Sequence, residues 1–301
     1  MFFDIHAHLY KYPYPIEFYP EKNEYKLAFP NEKELIETHD KLGIDGAVIL
    51  PLVSSEVYLP QSVGEIIEIC DNSGGRFIPF CNVDPRVLTN SSDAPIGMLL
   101  EYFKEQGCKG LGEVLPKMEF RDPKMQNLFR HCERVGFPLL FDLSGGKEGS
   151  YGIYDDAGLP QLEKCLDSFP DLVFIGHGPA FWAELGSLRN KEDRFGYPNY
   201  PIDAPGSVPR LLRKYPNLWV DLSAGSGSIA MYRDKEYSVS FLNEFSDRIM
   251  FGTDICFAND PGYGMTDYLI SLKETGKLPE EKFEAIAYKN AKRLLHLDTS
   301  H

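Results

Sequence analysis

Short apolar runs bounded by turn or cap residues recur along this chain, at residues 2–8, 46–52, 77–83, 109–115, 138–143, 172–177, 218–223 and 249–254. Within each run the apolar residues are continuous rather than alternating, the pattern of strands in a parallel sheet covered on both faces. Helical periodicity fills the gaps. It predicts a helix capped by Asn31 and running to Leu42, others over 61–72, 96–106, 122–135, 159–169, 204–215 and 238–245, and two closing helices near 266–273 and 280–295. The strands recur at roughly thirty to forty-five residues, the length of a strand–helix unit. Eight such units predict an α/β fold, a (β/α)8 TIM barrel forming a single domain over 1–301. A doubly wound open sheet is the alternative. No G-x-G-x-x-G or P-loop follows the first strand, so the nucleotide chemistry usual for that fold has no support.

Two insertions break the rhythm: 10–30, rich in Tyr and Pro, and 181–201. Both follow the C-terminal end of a strand, where barrel active sites lie, so they are expected to cover the site.

Polar residues interrupt the apolar pattern mainly at strand C-termini. Asp4-Ile5-His6-Ala7-His8 ends the first strand, and residues two apart on a strand project together, so His6 and His8 could grip one metal ion. Glu113 stands on the fourth strand, Asp142 ends the fifth, His177 the sixth and Asp254 the eighth. Singly, each has an ordinary explanation as a cap, a hydrogen-bonded core residue or a side chain reaching solvent. Together they would converge on one barrel mouth, where burying so many ionisable groups costs several kcal/mol unless a counter-charge such as a divalent cation is present.

Composition narrows the function. The chain has 301 residues, 43% hydrophobic and 25% charged, enough to bury a large core. Its formal charge of -14 is spread out, and no Lys/Arg stripe is available to neutralise phosphates, so nucleic acid is not expected as a partner. No apolar run has membrane-spanning length, and the first residues lack the charged and apolar regions of a signal peptide, so no membrane association is expected and a cytoplasmic location is. The six cysteines are scattered without a C-x-x-C, and read as small buried hydrophobes. Asn90-Ser91-Ser92 matches a glycosylation acceptor, a coincidence in a chain without a secretory route. The sequence allows a homo-oligomer.

Asp4-Ile5-His6-Ala7-His8, Ile175-Gly176-His177-Gly178, Phe251-Gly252-Thr253-Asp254 and Asn290-Ala291-Lys292-Arg293-Leu294-Leu295 together resemble the amidohydrolase superfamily. The branch resembled is amidohydrolase-2, which holds metal-dependent hydrolases and the aminocarboxymuconate-semialdehyde decarboxylase-like enzymes. The resemblance spans nearly the whole chain. It implies a divalent metal cofactor, zinc ahead of manganese, with His6, His8 and Asp254 as ligands. It also implies that Asp254 takes the proton of the attacking water, and that His177 is either a ligand or a catalytic acid/base. One position departs from the pattern: Asp142 stands where a fifth-strand ligand His is expected. Glu113 could fill that place. Glu113 and Asp254 alone would neutralise a divalent ion, whereas adding Asp142 would leave the site net negative and weaken its Lewis acidity, which ranks Glu113 above Asp142 as a ligand.

Two reactions fit the resemblance: hydrolysis of a small carbonyl compound (an amide, lactone or similar ester) by metal-activated water, and decarboxylation of an aromatic or unsaturated acid with His177 as proton donor. A barrel that only binds a ligand is a third reading. Substrate-facing candidates are Arg86 and Lys117, which could pair with a carboxylate, together with Asp142, Trp182, Tyr10 and Tyr58. His39, His131 and His296 fall in helical patterns and are expected to be packed or exposed in the outer layer.

Overall fold

Each of the eight apolar runs contributes a strand to one ring. The computed structural model describes residues 1–12, 16–17, 26–57, 59–144, 151–258, 260 and 262–297. In it the ring strands are β1 (Phe2–Ala7), β2 (Ile44–Ile49), β3 (Phe77–Pro79), β4 (Leu111–Val114), β5 (Leu139–Asp142), β6 (Phe174–His177), β7 (Leu218–Asp221) and β8 (Ile249–Met250). All pairings in the ring are parallel and follow chain order, β1 to β3 in one arc and β4 to β8 in another. Parallel bridges between Cys81 and Leu111, and between Ala7 and Ile255, join the arcs. Backbone hydrogen bonds of 3.0 Å from Cys81 N to Gly110 O and from Ile5 N to Phe251 O reinforce them. The sheet therefore closes into a (β/α)8 barrel, and the open-sheet alternative is excluded.

The helices cover the barrel. In α1 (Glu32–Leu42) the Asn31 side chain accepts from Glu34 N at 3.0 Å while Glu34 Oε2 accepts from Asn31 N at 2.9 Å, a capping box of about 1 kcal/mol. Then follow α2 (Val63–Asn72), α3 (Gly97–Glu105), α4 (Pro123–Val135), α5 (Pro160–Ser168), α6 (Pro179–Ala183), α7 (Ser207–Lys214), α8 (Ala224–Tyr232), α9 (Lys235–Glu244) and α10 (Met265–Glu274). The expected closing helix is a continuous run, Glu280–Glu284, Ala285–Lys289 and Asn290–Leu294, whose middle segment is a π-helix. The periodicity did not predict α8. Its Gly and Ser residues are poor helix formers, yet a Cβ on Gly227 would lie 2.4 Å from Leu222 O, so close approach of the backbone selects them.

The barrel interior is filled by Phe3, Ile5, Val48, Leu50, Phe80, Leu140, Ile175 and Met250, joined by Ala291 and Leu295 from the last helical run. A larger cluster, including Leu128, Phe129, Phe141, Phe174, Leu211 and Phe241, packs strands against helices. Bulges break this arrangement at two strands. Asp4 pairs with Ala47 and Ala7 with Ile49, three residues against two. The extra residue lets Phe3 and Ile5 fill the interior and still turns His6 and His8 together toward the mouth. β1 slips once more between Phe2 and Phe3, and β4 slips between Leu111 and Val114, around Glu113. All six cysteines are free, five of them buried. No helix among the described residues is long and apolar enough to cross a membrane. Within the first insertion, Ile16–Glu17 pairs with Lys26–Leu27, while 13–15 and 18–25 lie outside the described residues, as does Tyr58.

Candidate active site

The C-terminal ends of the strands bring His6, His8, Glu113, His177 and Asp254 into one cluster. His6 Nε2 and His8 Nε2 stand 3.0 Å apart. Glu113 Oε2 lies 3.7 and 3.5 Å from them, and Asp254 Oδ1 lies 3.4 and 3.3 Å away. His177 Nε2 faces Glu113 Oε1 at 3.8 Å and Asp254 Oδ2 at 3.9 Å. Asp142 joins the same cluster through Glu113 and His177, and its buried Oδ1 has no hydrogen-bond partner.

What holds the imidazoles decides what they offer. His8 Nδ1 donates to Leu50 O at 2.9 Å, and His6 Nδ1 donates to Asp221 Oδ2 at 2.8 Å. His177 Nδ1 lies 3.0 Å from Ser223 Oγ and 3.2 Å from Asp221 Oδ2, and Ser223 Oγ in turn donates to that oxygen at 2.7 Å. With the Nδ1 hydrogens so engaged, the Nε2 lone pairs of all three rings converge on the carboxylates. Two facing lone pairs 3.0 Å apart repel each other unless a cation lies between them, and nitrogen and carboxylate oxygen are the donors a divalent ion of the zinc or manganese type takes. The residues present therefore fit a metal.

Electrostatics supports the same fit. Burial pulls the His8 imidazole down, but its hydrogen bonding to the Asp254 and Glu113 carboxylates outweighs this and pushes the group up to about 9. Burial likewise works against Glu113, Asp221 and Asp254, yet the neighbouring imidazoles hold all three carboxyls below their usual range. Burial, then repulsion from Glu113, pushes Asp142 well up. Without metal, protons on the imidazoles carry the positive charge that these carboxylates require, and a bound divalent ion would take their place.

Three supporting residues were given no role in the site by the sequence pattern. Asp221 is fully buried at the end of β7 and orients both His6 and His177. A Cβ on Gly252 would meet Asp221 Oδ1 at 2.3 Å, so only glycine fits beside that carboxylate. Leu218-Trp219-Val220-Asp221 carries the signal that exposed Asp142, an acid closing an apolar run. Asp4, the first residue of the D-x-H-x-H run, accepts from His6 N at 3.0 Å, Thr253 N at 2.9 Å and Thr253 Oγ1 at 2.5 Å, tying β1 to the segment that carries Asp254. Asp254 itself has φ 53, and its N donates to His6 O at 2.7 Å. His39 is the third, buried with Nε2 at 3.2 Å from Asp4 Oδ2, while His131 is half-buried and His296 exposed.

A cavity of about 300 Å³ opens on His8, Glu113, Asp142 and Asp254. Tyr10 and Phe29 bring the first insertion to its wall, whereas none of the described residues of 181–201 lines it. The substrate candidates separate accordingly. Asp142 lines the cavity. Arg86 does not: its guanidinium donates to both oxygens of Glu56 at 2.8 Å and to Asp84 at 2.6 and 2.8 Å, so its charge is already matched. Lys117 lines a different depression with Glu119 and Arg121. Trp182 is buried, its indole N–H donating to Asp221 O at 3.1 Å behind the cluster.

Comparison with known proteins agrees with this architecture. The amidohydrolase family model matches residues 3–297. No curated protein sequence matches the chain. Among solved structures, a TIM-barrel protein from Bordetella bronchiseptica is similar at 15% identity over 98% of each chain, with a TM-score of 0.62. An amidohydrolase from Burkholderia multivorans with bound zinc is similar at 13% identity, covering 99% of this chain and 100% of the other, with a TM-score of 0.61. A 2,6-dihydroxybenzoate decarboxylase, in complex with its namesake acid, is similar at 15% identity over 98% of each chain, with a TM-score of 0.55. Since the family model runs almost from end to end of a barrel whose mouth gathers imidazole and carboxylate groups able to hold a metal, the chain belongs to the amidohydrolase family.

Proposed function

We propose that this chain is a single-domain metal-dependent hydrolase, over 1–301, that cleaves a small carbonyl compound such as an amide, lactone or similar ester with an activated water. His6, His8, Glu113 and Asp254 would hold the ion, with His177 beside it, and the mixed imidazole and carboxylate set ranks zinc first and manganese second. A bound divalent ion supplies Lewis acidity toward water and a substrate carbonyl. The protein's own groups do the rest. Asp254 accepts the proton of the attacking water, and His177, with Nε2 3.9 Å from Asp254 Oδ2, passes it to the leaving group. Asp221 and Leu50 O keep the imidazoles oriented throughout.

One observation carries this reading. The Asp254 side chain is 19% exposed and lines the cavity, whereas those of His6, His8, Glu113 and His177 are 0 to 7% exposed. Of the candidate ligands, Asp254 is therefore the carboxylate best placed to meet a water arriving beside a bound substrate. A small-molecule substrate and a cytoplasmic location go with this proposal. Purified protein supplied with zinc or manganese and screened against lactones, amides and aromatic carboxylates tests it. Hydrolysis of at least one lactone or amide is expected. Release of carbon dioxide from an aromatic acid without any hydrolysis would move the assignment to decarboxylation, with His177 as the proton donor. Absence of any turnover by metal-loaded protein would favour a barrel that only binds its ligand.

A further inference from the structure

The wall of the cavity over the cluster is built from one apolar group. Tyr10, Phe29, Leu52 and Leu115 pack as a unit with Val57, Leu59 and Cys256, apart from the barrel interior and the outer core. These residues come from the segments after β1, β2, β4 and β8, so the apolar surface arches across the mouth from several sides. Tyr10 and Phe29 lie with ring centroids 4.6 Å apart at 33°, and the Tyr10 hydroxyl donates to Leu59 O at 2.7 Å, which engages its polar tip.

The polar side of the wall is acidic. Glu56, Glu113, Asp142 and Asp254 line the cavity together with His8 and Tyr151, and its described lining residues include no Lys or Arg. Both oxygens of Glu56 are engaged by Arg86. A carboxylate placed here would find no guanidinium or ammonium among the described lining residues, since Arg86 is already taken by Glu56 and Asp84. A polyhydroxylated ring lying on the apolar side would set its hydroxyls there against Leu, Phe and Tyr surface, where each unpaired hydroxyl carries its desolvation cost. An aromatic or similarly apolar group suits that surface, since burying it needs no partner.

We infer that, given the hydrolytic reading above on which this rests, the substrate is an uncharged carbonyl compound whose non-reacting part is aromatic or comparably apolar, an aryl lactone or aryl amide rather than a sugar lactone or a dicarboxylate. The apolar part lies against Tyr10, Phe29, Leu59 and Leu115, and the carbonyl faces Asp254 and Glu113.

Binding, measured separately from turnover, tests this. Three probes are titrated into zinc-loaded protein by calorimetry: dihydroquinolinone, a hydrolysis-resistant neutral aryl lactam; gluconolactam, a neutral polyhydroxylated one; and isophthalate, an aromatic dicarboxylate. The aryl lactam is expected to bind at least about tenfold more tightly than either of the others. Leu59→Arg should reverse the order of lactam and isophthalate, while Leu59→Phe keeps it, and Leu59 is partly exposed, so both variants are expected to fold. Equal or tighter binding of gluconolactam or isophthalate to the unmutated chain, or no detectable binding of the aryl lactam, would overturn the inference. If the protein hydrolysed nothing yet kept this binding order, the hydrolytic reading would fall and the substrate class would stand. Hydrolysis of a sugar lactone with no affinity for the aryl lactam would do the opposite.

Discussion

Asp221 Oδ2 lies 2.8 Å from His6 Nδ1, a hydrogen bond between the seventh and first strands that fixes which ring nitrogen faces the cluster. The same oxygen is 3.2 Å from His177 Nδ1, so one buried carboxylate orients two imidazoles. Partners of this kind are typically worth 10- to 100-fold, roughly, in metal affinity. Asp221→Asn keeps the shape but removes the charge and one acceptor. It should weaken zinc binding by about that factor, read by competition with a chromogenic chelator. An unchanged zinc affinity would show that Asp221 plays no part in the site.

Asp254→Asn separates holding the ion from moving the proton. The amide can still coordinate through its oxygen but accepts no proton, so turnover should fall by about 10²- to 10⁴-fold while much of the metal stays bound. Near-normal turnover in this variant would remove Asp254 from the role of base.

Most of the barrel was legible because its signal is local. Eight continuous apolar runs, each followed by a helical pattern, specify strand and helix without any knowledge of partners, and Asn31 marks the start of α1 by its own chemistry. The strand ends were less legible. β8 is only Ile249–Met250, because the segment that follows departs from the ladder to tie Thr253 to Asp4 and carry Asp254 into the cluster. His6 and His8 could be read from their spacing, but the slip between Asp4 and Ala7 that lets both face the mouth depends on pairing with β2. Asp221 closes an apolar run as plainly as Asp142 does, yet its importance comes from contacts 215 residues away in sequence. Arg86 illustrates the converse. A cation after a strand suggests a carboxylate ligand, and only the fold shows that Glu56, 30 residues earlier, has taken it.

Asp155 gives a pH dependence away from the cluster. Burial raises its carboxyl to about 6 from an ordinary 3.8, against the backbone N–H groups of Leu162, Gln161 and Asp156, which favour the charged form. The folded chain thus holds this proton more tightly than the unfolded one. Its contribution to stability is full below pH 3.8 and is lost as pH rises through about 6, a difference of roughly 3 kcal/mol. Denaturant melts of the wild-type chain and Asp155→Asn at intervals from about pH 4 to 7 should therefore diverge in slope, the wild type losing stability relative to the variant as pH rises. Parallel curves would contradict the shift.

His6 and His8 are proposed to hold a divalent metal at the mouth of this barrel. Elemental analysis of protein stripped with a chelator, reloaded with zinc and desalted measures it directly, with the double variant His6→Ala/His8→Ala treated alongside and its folding checked by circular dichroism. Zinc is expected to stay with the wild-type chain and to be absent from the folded double variant. Equal zinc in both, or none in the wild type, would contradict it.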